Sequence, residues 1–169
     1  AVWHPDIVEF ITAKQTAGRL SKFNMSVNCT DVFMERVLRI DELKRKLVDS
    51  DDLISIQKNW ALQTEIDALE TWDLMFPDTT HASYKSLWKG NIEDWLSRGL
   101  PVNVYETTTV SRLWNLIMES TYNRNEPGVL FLDRANKFLP FSYGESILST
   151  NPCFTGDTET LTRQGYRRL

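Results

Sequence analysis

Polar and apolar residues alternate strictly in residues 23–29. Phe23, Met25, Val27 and Cys29 are apolar, and they alternate with Asn24, Ser26 and Asn28. A period of two is typical of a strand with one buried face, so the segment is predicted to be a β-strand. Cys29 lies on the apolar face. A small buried core residue is therefore a better interpretation of it than a redox-active thiol.

Apolar residues spaced by three and four predict the helices. The first helix is predicted to start in His4-Pro5-Asp6, with the proline in its first turn, and a second is capped by Thr30-Asp31. Ser50-Asp51-Asp52 is predicted to separate the second helix from a third, whose apolar stripe (Leu53, Ile56, Trp60, Leu62, Ile66 and Leu69) is interpreted as core.

Two more helices are predicted further along the chain. One is short, is capped by Asn91 and stops at Gly99, and the other covers residues 110–122, with Leu113, Trp114, Ile117 and Met118 on one side. His81 is assigned to a surface loop before the short helix, because no partner for it is visible in the sequence.

Three further strands are predicted between these helices. They are the alternating residues Trp72, Leu74 and Phe76 before Pro77, residues 102–107, and the apolar run 129–132 after the turn Glu126-Pro127-Gly128. The last strand ends in Asp133-Arg134, where a sheet commonly presents polar groups to a ligand or to a partner side chain. Strands that alternate with helices predict an α/β architecture.

Composition narrows the class of protein. The 169 residues are 41% hydrophobic and 25% charged, with a net charge of −4, which gives no electrostatic case for binding nucleic acid or an anionic membrane. No apolar run approaches the ~20 residues that span a bilayer, and no signal-peptide pattern is present. Two cysteines do not form the disulfide framework of a secreted protein, so the cytoplasm is the predicted location. With two histidines and no cysteine pair at ligand spacing, no metal site is predicted. A start without Met and the end at Leu169 suggest a piece of a longer protein.

The candidate chemistry lies in Ser149–Thr158. Asn151-Pro152 is a turn-forming dipeptide that presents the thiol of Cys153, the most nucleophilic ordinary side chain. An arbitrary Asn-Pro-Cys would more often contain a buried structural cysteine. The neighbouring segments on both sides favour a functional one.

Several segments together resemble the catalytic subunit of ribonucleotide reductase. These are His4-Pro5-Asp6-Ile7-x-x-Phe10-Ile11, Asn24-Met25-Ser26-Val27-x-x-Thr30-Asp31-x-Phe33-Met34, Leu113-Trp114-x-x-Ile117-x-Glu119-Ser120, Glu126–Arg134, and Tyr143-Gly144-Glu145 through Ser149–Cys153. They cover residues 1–153 in the family's order and are most similar to its adenosylcobalamin-dependent members.

The resemblance implies part of a ten-stranded α/β barrel with its Asn-x-Cys-x-Glu signature on a central loop. A thiyl radical there abstracts the 3′ hydrogen of a ribonucleoside di- or triphosphate. By resemblance Asn151 and Pro152 contact the substrate, Asn151 and Cys153 are catalytic, and adenosylcobalamin is the cofactor. A thioredoxin-type reductant and a homodimer of the full enzyme are the implied partners.

The chain departs from this family directly after Cys153. The signature requires a glutamate two positions later, where this chain has Thr155. Instead, Cys153–Thr158 with Leu161-Thr162 and Gly165-Tyr166 resembles the first block of an intein, an all-β Hint-type domain that begins with a nucleophilic cysteine and a β-hairpin. The resemblance implies domains at 1–152 and 153–169, with Cys153 as splicing nucleophile and a downstream intein and reductase segment as partners.

Two alternatives remain open. In the first, Cys153 is the radical cysteine of a divergent, uninterrupted reductase. In the second, the chain is a non-enzymatic α/β binding module whose likeness to the reductase is superficial. A fragment of a barrel would also expose unpaired strand edges, so marginal stability or association is expected.

Overall fold

The structure is a computed structural model that describes residues 1–15, 24–48, 53–140 and 146–150, together with the backbone of residues 159–162 and 165–168. Helices and strands alternate over most of its length. In chain order they are α1 (Ile7–Thr12), β1 (Ser26–Asn28), α2 (Asp31–Arg45), α3 (Leu53–Glu70), β2 (Thr71–Pro77), α4 (Tyr84–Leu87), α5 (Ile92–Ser97), β3 (Val102–Thr109), α6 (Val110–Arg124), β4 (Gly128–Leu130), α7 (Leu132–Lys137), β5 (Glu159–Thr162) and β6 (Gly165–Arg168).

Two short sheets and the N-terminal residues form the framework. Strands β1 and β4 pair in parallel, and β2 and β3 pair antiparallel with a bulge between Leu74 and Met75. The N–H of Val2 donates to Asn28 O (3.0 Å), and the N–H of Met75 donates to Trp3 O (2.8 Å). Residues 2–3 therefore lie between β1 and β2 and connect the two sheets.

Side-chain caps begin the helices where the sequence predicts them. Thr30 Oγ1 accepts a hydrogen bond from Phe33 N (3.3 Å) at the start of α2, and Asn91 Oδ1 accepts from Glu93 N and Asp94 N at the start of α5. Each cap satisfies amide donors that have no partner within the helix. Gly99, with φ +68°, ends the short-helix region in the left-handed conformation that glycine tolerates.

The core forms where the apolar faces of α2, α6 and the strands meet. Phe33, Leu43, Leu74, Leu113 and Ile117 are essentially inaccessible to solvent. Their spacing is helical in α2 and α6 and alternating in β2, as predicted, so the α/β class and most element positions are confirmed.

Three parts of the prediction are wrong. The N-terminal half of α3 is not core, since Leu53 is 80% and Trp60 73% exposed. The fourth predicted strand ends at Leu130 instead of residue 132, because Leu132 begins α7 and its N–H donates to the Asn28 side chain. Helix α4 was not predicted, because four residues are too few to show a helical period.

Two predictions at the ends of segments concern residues that the structure does not describe. The first concerns Phe23, at the start of the first alternating segment. The second concerns Ser50-Asp51-Asp52, the predicted break before α3. Further along, β5 and β6 pair antiparallel, with Glu159 opposite Arg168. A two-stranded hairpin of this kind occurs in many folds, so it does not by itself identify an intein.

Candidate active site

The carboxyl ends of the parallel strands β1 and β4 lie side by side. Asn28 is opposite Leu130 in the register, and the N–H of Cys29 donates to Leu130 O (2.9 Å). Beyond the strands, Asn28 Oδ1 accepts a hydrogen bond from Leu132 N (3.1 Å). We call residues 28–31 and 130–134 the carboxyl edge. In open α/β sheets this is the edge at which ligands bind.

Charged side chains from the helices that follow the two strands, α2 and α7, meet at the carboxyl edge. Asp133 Oδ2 accepts from the N–H of Asp31 (2.8 Å), and Arg134 Nε is 3.3 Å from Asp31 Oδ1. Asp133 thus caps the first turn of α2 together with Thr30. Asp133 and Arg134, predicted to present polar groups to a ligand or a partner side chain, therefore both bond to Asp31 of the same chain.

Glu93 adds a further acid beside this edge. Burial raises the pKa of its carboxyl, and the nearby charges of Asp133, Asp31 and Glu35 raise it further. Three acids that disfavour the ionisation of a fourth indicate a locally negative environment. Arg134 forms an ion pair with one of these acids, Asp31.

The segment that precedes the candidate signature reaches the same edge. Asn136 Nδ2 donates to Ile147 O (2.8 Å), and Asn136 Oδ1 accepts from Ile147 N (2.6 Å). The next side chain, Leu148, lies over Gly90, 3.6 Å from where a Cβ would stand. A cavity of about 30 Å³ lies between this segment and the carboxyl edge, lined by Asn28, Thr30, Leu132 and Asn136 among others.

The predicted site residues come directly after this segment. Asn151, Pro152 and Cys153 lie outside the described residues, so their predicted roles stay predictions. The structure does describe residues 146–150, in which Ile147 bonds to Asn136 and Leu148 lies over Gly90.

Cys29 is a core residue, as predicted. Its side chain is inaccessible, and burial raises the pKa of its thiol to about 12. A thiol with so high a pKa forms very little thiolate near neutral pH, so it is a poor nucleophile.

Neither histidine shows metal-site chemistry. His4 Nδ1 accepts from Asp6 N (3.1 Å), while His81 Nδ1 accepts from Ser83 N (3.3 Å). His81 lies in a loop, as predicted, but its ring also packs edge-on against Trp95. Across the described ranges no three His, Cys, Asp or Glu side chains are grouped to hold a metal ion, and no helix there is both long and apolar enough to cross a membrane.

Three residues of this site were missed by the sequence analysis. Asn28 could have been found, since it is the last polar residue of the alternating strand and precedes a helix cap. Asn136 and Glu93 gave no signal, because an amide and an acid on short helices are ordinary surface residues until the fold brings them to the carboxyl edge.

The fold and site define a mixed α/β domain whose polar residues collect at the carboxyl ends of parallel strands. The family model of the ribonucleotide reductase barrel domain matches residues 1–160. The chain therefore belongs to this family, and its likeness to the reductase is not superficial.

Two curated relatives show the extent of the similarity. The vitamin B12-dependent ribonucleoside-diphosphate reductase of Thermoplasma acidophilum is 26% identical over 151 residues, which are 89% of this chain and 13% of the relative. A putative ribonucleoside-diphosphate reductase large subunit of Frog virus 3 is 24% identical over 143 residues, 82% of this chain and 16% of that protein. The chain thus spans less than a fifth of the length of these relatives.

Proposed function

We propose that residues 1–152 are part of the catalytic barrel of a ribonucleotide reductase large subunit, which reduces a ribonucleoside di- or triphosphate to its 2′-deoxy form in the cytoplasm. The observation that carries this proposal is the family match over residues 1–160. The geometry supports it, since the segment before Asn151-Pro152-Cys153 is held at the carboxyl edge of the parallel strands. Asn151 would hydrogen-bond the ribose hydroxyls, with Pro152 beside it.

The cofactor and partners of the whole enzyme follow from the same proposal. The name of the Thermoplasma relative supports adenosylcobalamin, which would generate the thiyl radical when bound. Among the described residues no three His, Cys, Asp or Glu side chains are grouped to hold a metal ion, and no step is assigned to the cofactor on this chain. A thioredoxin-type reductant and a homodimer complete the proposed assembly.

We assign Cys153 to protein splicing and residues 153–169 to the start of an intein. Cys153 Sγ would attack the Pro152 carbonyl carbon, the Pro152–Cys153 amide bond would break, and the proton would pass to the released amine. The product is a thioester that links Pro152 to Cys153. The absence of a glutamate at position 155 supports this role over reduction chemistry.

A second role for Cys153 has one observation in its favour. The family match continues past Cys153 to residue 160, as it would if the reductase sequence were uninterrupted. Cys153 would then be the radical cysteine itself, in a site that has Thr155 where the family signature has a glutamate.

Reading the coding DNA beyond Leu169 separates the two roles. A downstream His-Asn pair followed directly by Cys-Gly-Glu is the result that splicing requires. Expression of the complete reading frame should then give a spliced protein by intact mass, while Cys153→Ala should give only the unspliced precursor. An uninterrupted reductase sequence after Leu169 would overturn splicing and assign Cys153 to the radical.

A further inference from the structure

A groove with a volume of about 550 Å³ opens between α2, β2 and α5. Its apolar lining is made mainly by residues of the N-terminal segment, β2 and α5: Trp3, Trp72, Met75, Ile92 and Leu96. Trp3, Trp72 and Ile92 are buried, so the core holds this lining in place, whereas Leu96 is 43% exposed. A preformed, largely apolar groove of this size is typical of binding sites for small molecules.

Two of the charged side chains that line the groove have partners within the fold. The guanidinium of Arg36 lies 5.4 Å from the centroid of the Trp72 ring, and its Nη1 donates to Thr71 O (2.7 Å). The carboxylate of Asp73 accepts a hydrogen bond from Thr107 Oγ1 (2.6 Å). These bonds fix both side chains at the wall of the groove.

Glu93 of α5 is the third charged side chain of the lining, and it is partly buried. Across the residues that the structure describes, its carboxylate accepts no hydrogen bond and forms no ion pair. Burial raises the pKa of this carboxyl, and the charges of Asp133, Asp31 and Glu35 raise it further. A positive charge bound beside Glu93 would therefore stabilise its ionised form.

The charges of the groove select the kind of molecule that fits it. Its lining has the two carboxylates of Asp73 and Glu93 and the one guanidinium of Arg36. Because Asp73 and Arg36 bond within the fold, Glu93 is the charged group that remains for a ligand. The net negative charge attracts a cation and repels an anion of the same shape.

We propose that this groove binds a small organic cation: a protonated amine that donates to Glu93 and packs an apolar group against Trp3, Met75 and Ile92. The charge-assisted hydrogen bond orients the molecule, and the apolar lining supplies the buried area. The inference goes beyond the proposed function and does not rest on it, since the phosphate groups of a ribonucleotide are anions and the groove favours cations.

The test compares three probes that share a phenyl ring and differ in charge. Phenethylamine is the cation, phenylethanol is its neutral counterpart, and phenylpropionate is an anion of similar size. Each is titrated at pH 7 into the ¹⁵N-labelled 169-residue chain, and the amide shifts of Met75, Ile92 and Leu96 report binding in the groove. The amine should bind at least about tenfold more tightly than the alcohol, because a hydrogen bond to a charged group is stronger than a neutral one. The propionate should bind most weakly.

Two variants of α5 separate the charge of Glu93 from that of its neighbour. Glu93→Gln keeps the shape of the side chain and should weaken the amine about tenfold, with the alcohol changed by less than about twofold. Asp94→Asn is the matched control, since it also removes an acid from the first turn of α5 but one that pairs with Arg98. It should leave the affinities for all three probes within about twofold of the parent.

A third variant tests the apolar lining. Leu96→Ala removes an exposed apolar side chain of the groove and should weaken the amine and the alcohol by the same factor, about twofold to fivefold. Unchanged amide shifts in β1 and β4 of each variant would show that the fold is retained. If Leu96→Ala unfolds the chain, the comparison of Glu93→Gln with Asp94→Asn decides the question alone.

Three results would overturn the inference. The first is an absence of saturable shifts at Met75, Ile92 and Leu96 with the amine. The second is equal affinity of the parent chain for the amine and the alcohol, and the third is an amine affinity that Glu93→Gln leaves unchanged. None of these results bears on the proposed function, which the coding DNA and the splicing assay test separately.

Discussion

Individual polar side chains organise the carboxyl edge. Asn28 fixes the start of α7, Asp133 caps α2, and Asn136 holds Ile147, each through a hydrogen bond to a backbone group. Backbone groups that lack a partner in a helix or strand are costly to bury, so one suitable side chain decides how two elements meet. The same principle operates at Glu70.

Glu70 joins the ends of α3 and α6 to α2. Its carboxylate accepts from the N–H of Ser111 (2.8 Å) and from the Ser111 hydroxyl, and it pairs with Lys44 Nζ (3.0 Å). Burial by itself would raise the pKa of the carboxyl, but the bonds to Ser111 and Lys44 outweigh burial and lower the pKa below its ordinary value of 4.5. The ionised form is therefore the one that stabilises the fold.

We expect Glu70→Gln to lower the free energy of unfolding by about 1–2 kcal/mol at pH 7. A depressed pKa contributes stability above the ordinary value, and that contribution is lost as the pH falls through the pKa of the folded state. Measured by urea unfolding, the free energy of unfolding should therefore fall less between pH 7 and pH 3 for Glu70→Gln than for the parent. Glu65→Gln, in an exposed pair with Arg39, is the control and should change stability by less than about 1 kcal/mol. Parallel pH profiles for Glu70→Gln and the parent would contradict this role.

At the scale of elements, α3 shows where periodicity misleads. Its 18 residues contain apolar side chains throughout, but its buried residue, Ile66 at 2% exposure, lies in the C-terminal half. Trp60 resembles a core tryptophan in sequence and is 73% exposed. A pattern along one helix states which residues share a face, whereas the neighbouring elements decide whether that face is covered.

Two tryptophan variants measure this difference. Trp95→Ala should lower the free energy of unfolding by about 3–5 kcal/mol, because a buried ring is removed and a cavity remains. Trp95 is 1% exposed, and its Nε1–H donates to Pro101 O. Trp60→Ala should change the free energy of unfolding by no more than about 0.5 kcal/mol. Denaturant midpoints of both variants check the prediction, and a loss of more than about 2 kcal/mol for Trp60→Ala would show that the N-terminal half of α3 is packed.

At the scale of the whole molecule, the fold depends on contacts between distant parts of the chain. Val2 bonds to Asn28, Met75 bonds to Trp3, and Lys14 forms an ion pair with Glu126. The last pair joins the end of the α1 region to the turn before β4, and its side chains are only 14% and 22% exposed. When one partner of an ion pair that is largely removed from water is lost, the other charge stays buried without compensation, and the fold is strongly destabilised.

A double-mutant cycle tests the pair. Lys14→Met and Glu126→Gln should each lower the free energy of unfolding by about 1–3 kcal/mol, less than for full burial because both side chains retain some exposure. The loss of unfolding free energy in the double variant should be smaller than the sum of the two single losses, by a coupling energy of about 1 kcal/mol. The exposed pair of Asp94 on α5 and Arg98 directly after α5 is the reference and should couple by about 0.5 kcal/mol or less. Additive losses for Lys14 and Glu126 would show that the pair does not link the two regions.

The sequence by itself determined the α/β class, the position of most elements and the caps at Thr30 and Asn91, since these depend on spacing and on local hydrogen bonds. It also placed Cys29 correctly in the core, and its motifs indicated the reductase family to which the chain belongs. The predicted roles of Asn151 and Cys153 likewise rest on the sequence and await the experiments above.

Only the tertiary structure decided which polar residues act together. Asn28, Glu93, Asp133 and Asn136 come from three separate segments, β1, α5 and α7, and no local pattern indicates that they meet at one edge. Tertiary contacts also decided three further features: the exposure of Trp60, the start of α7 at Leu132, and the position of residues 2–3 between β1 and β2. Local spacing fixes which faces a segment has, but the partners of those faces depend on contacts across the whole chain.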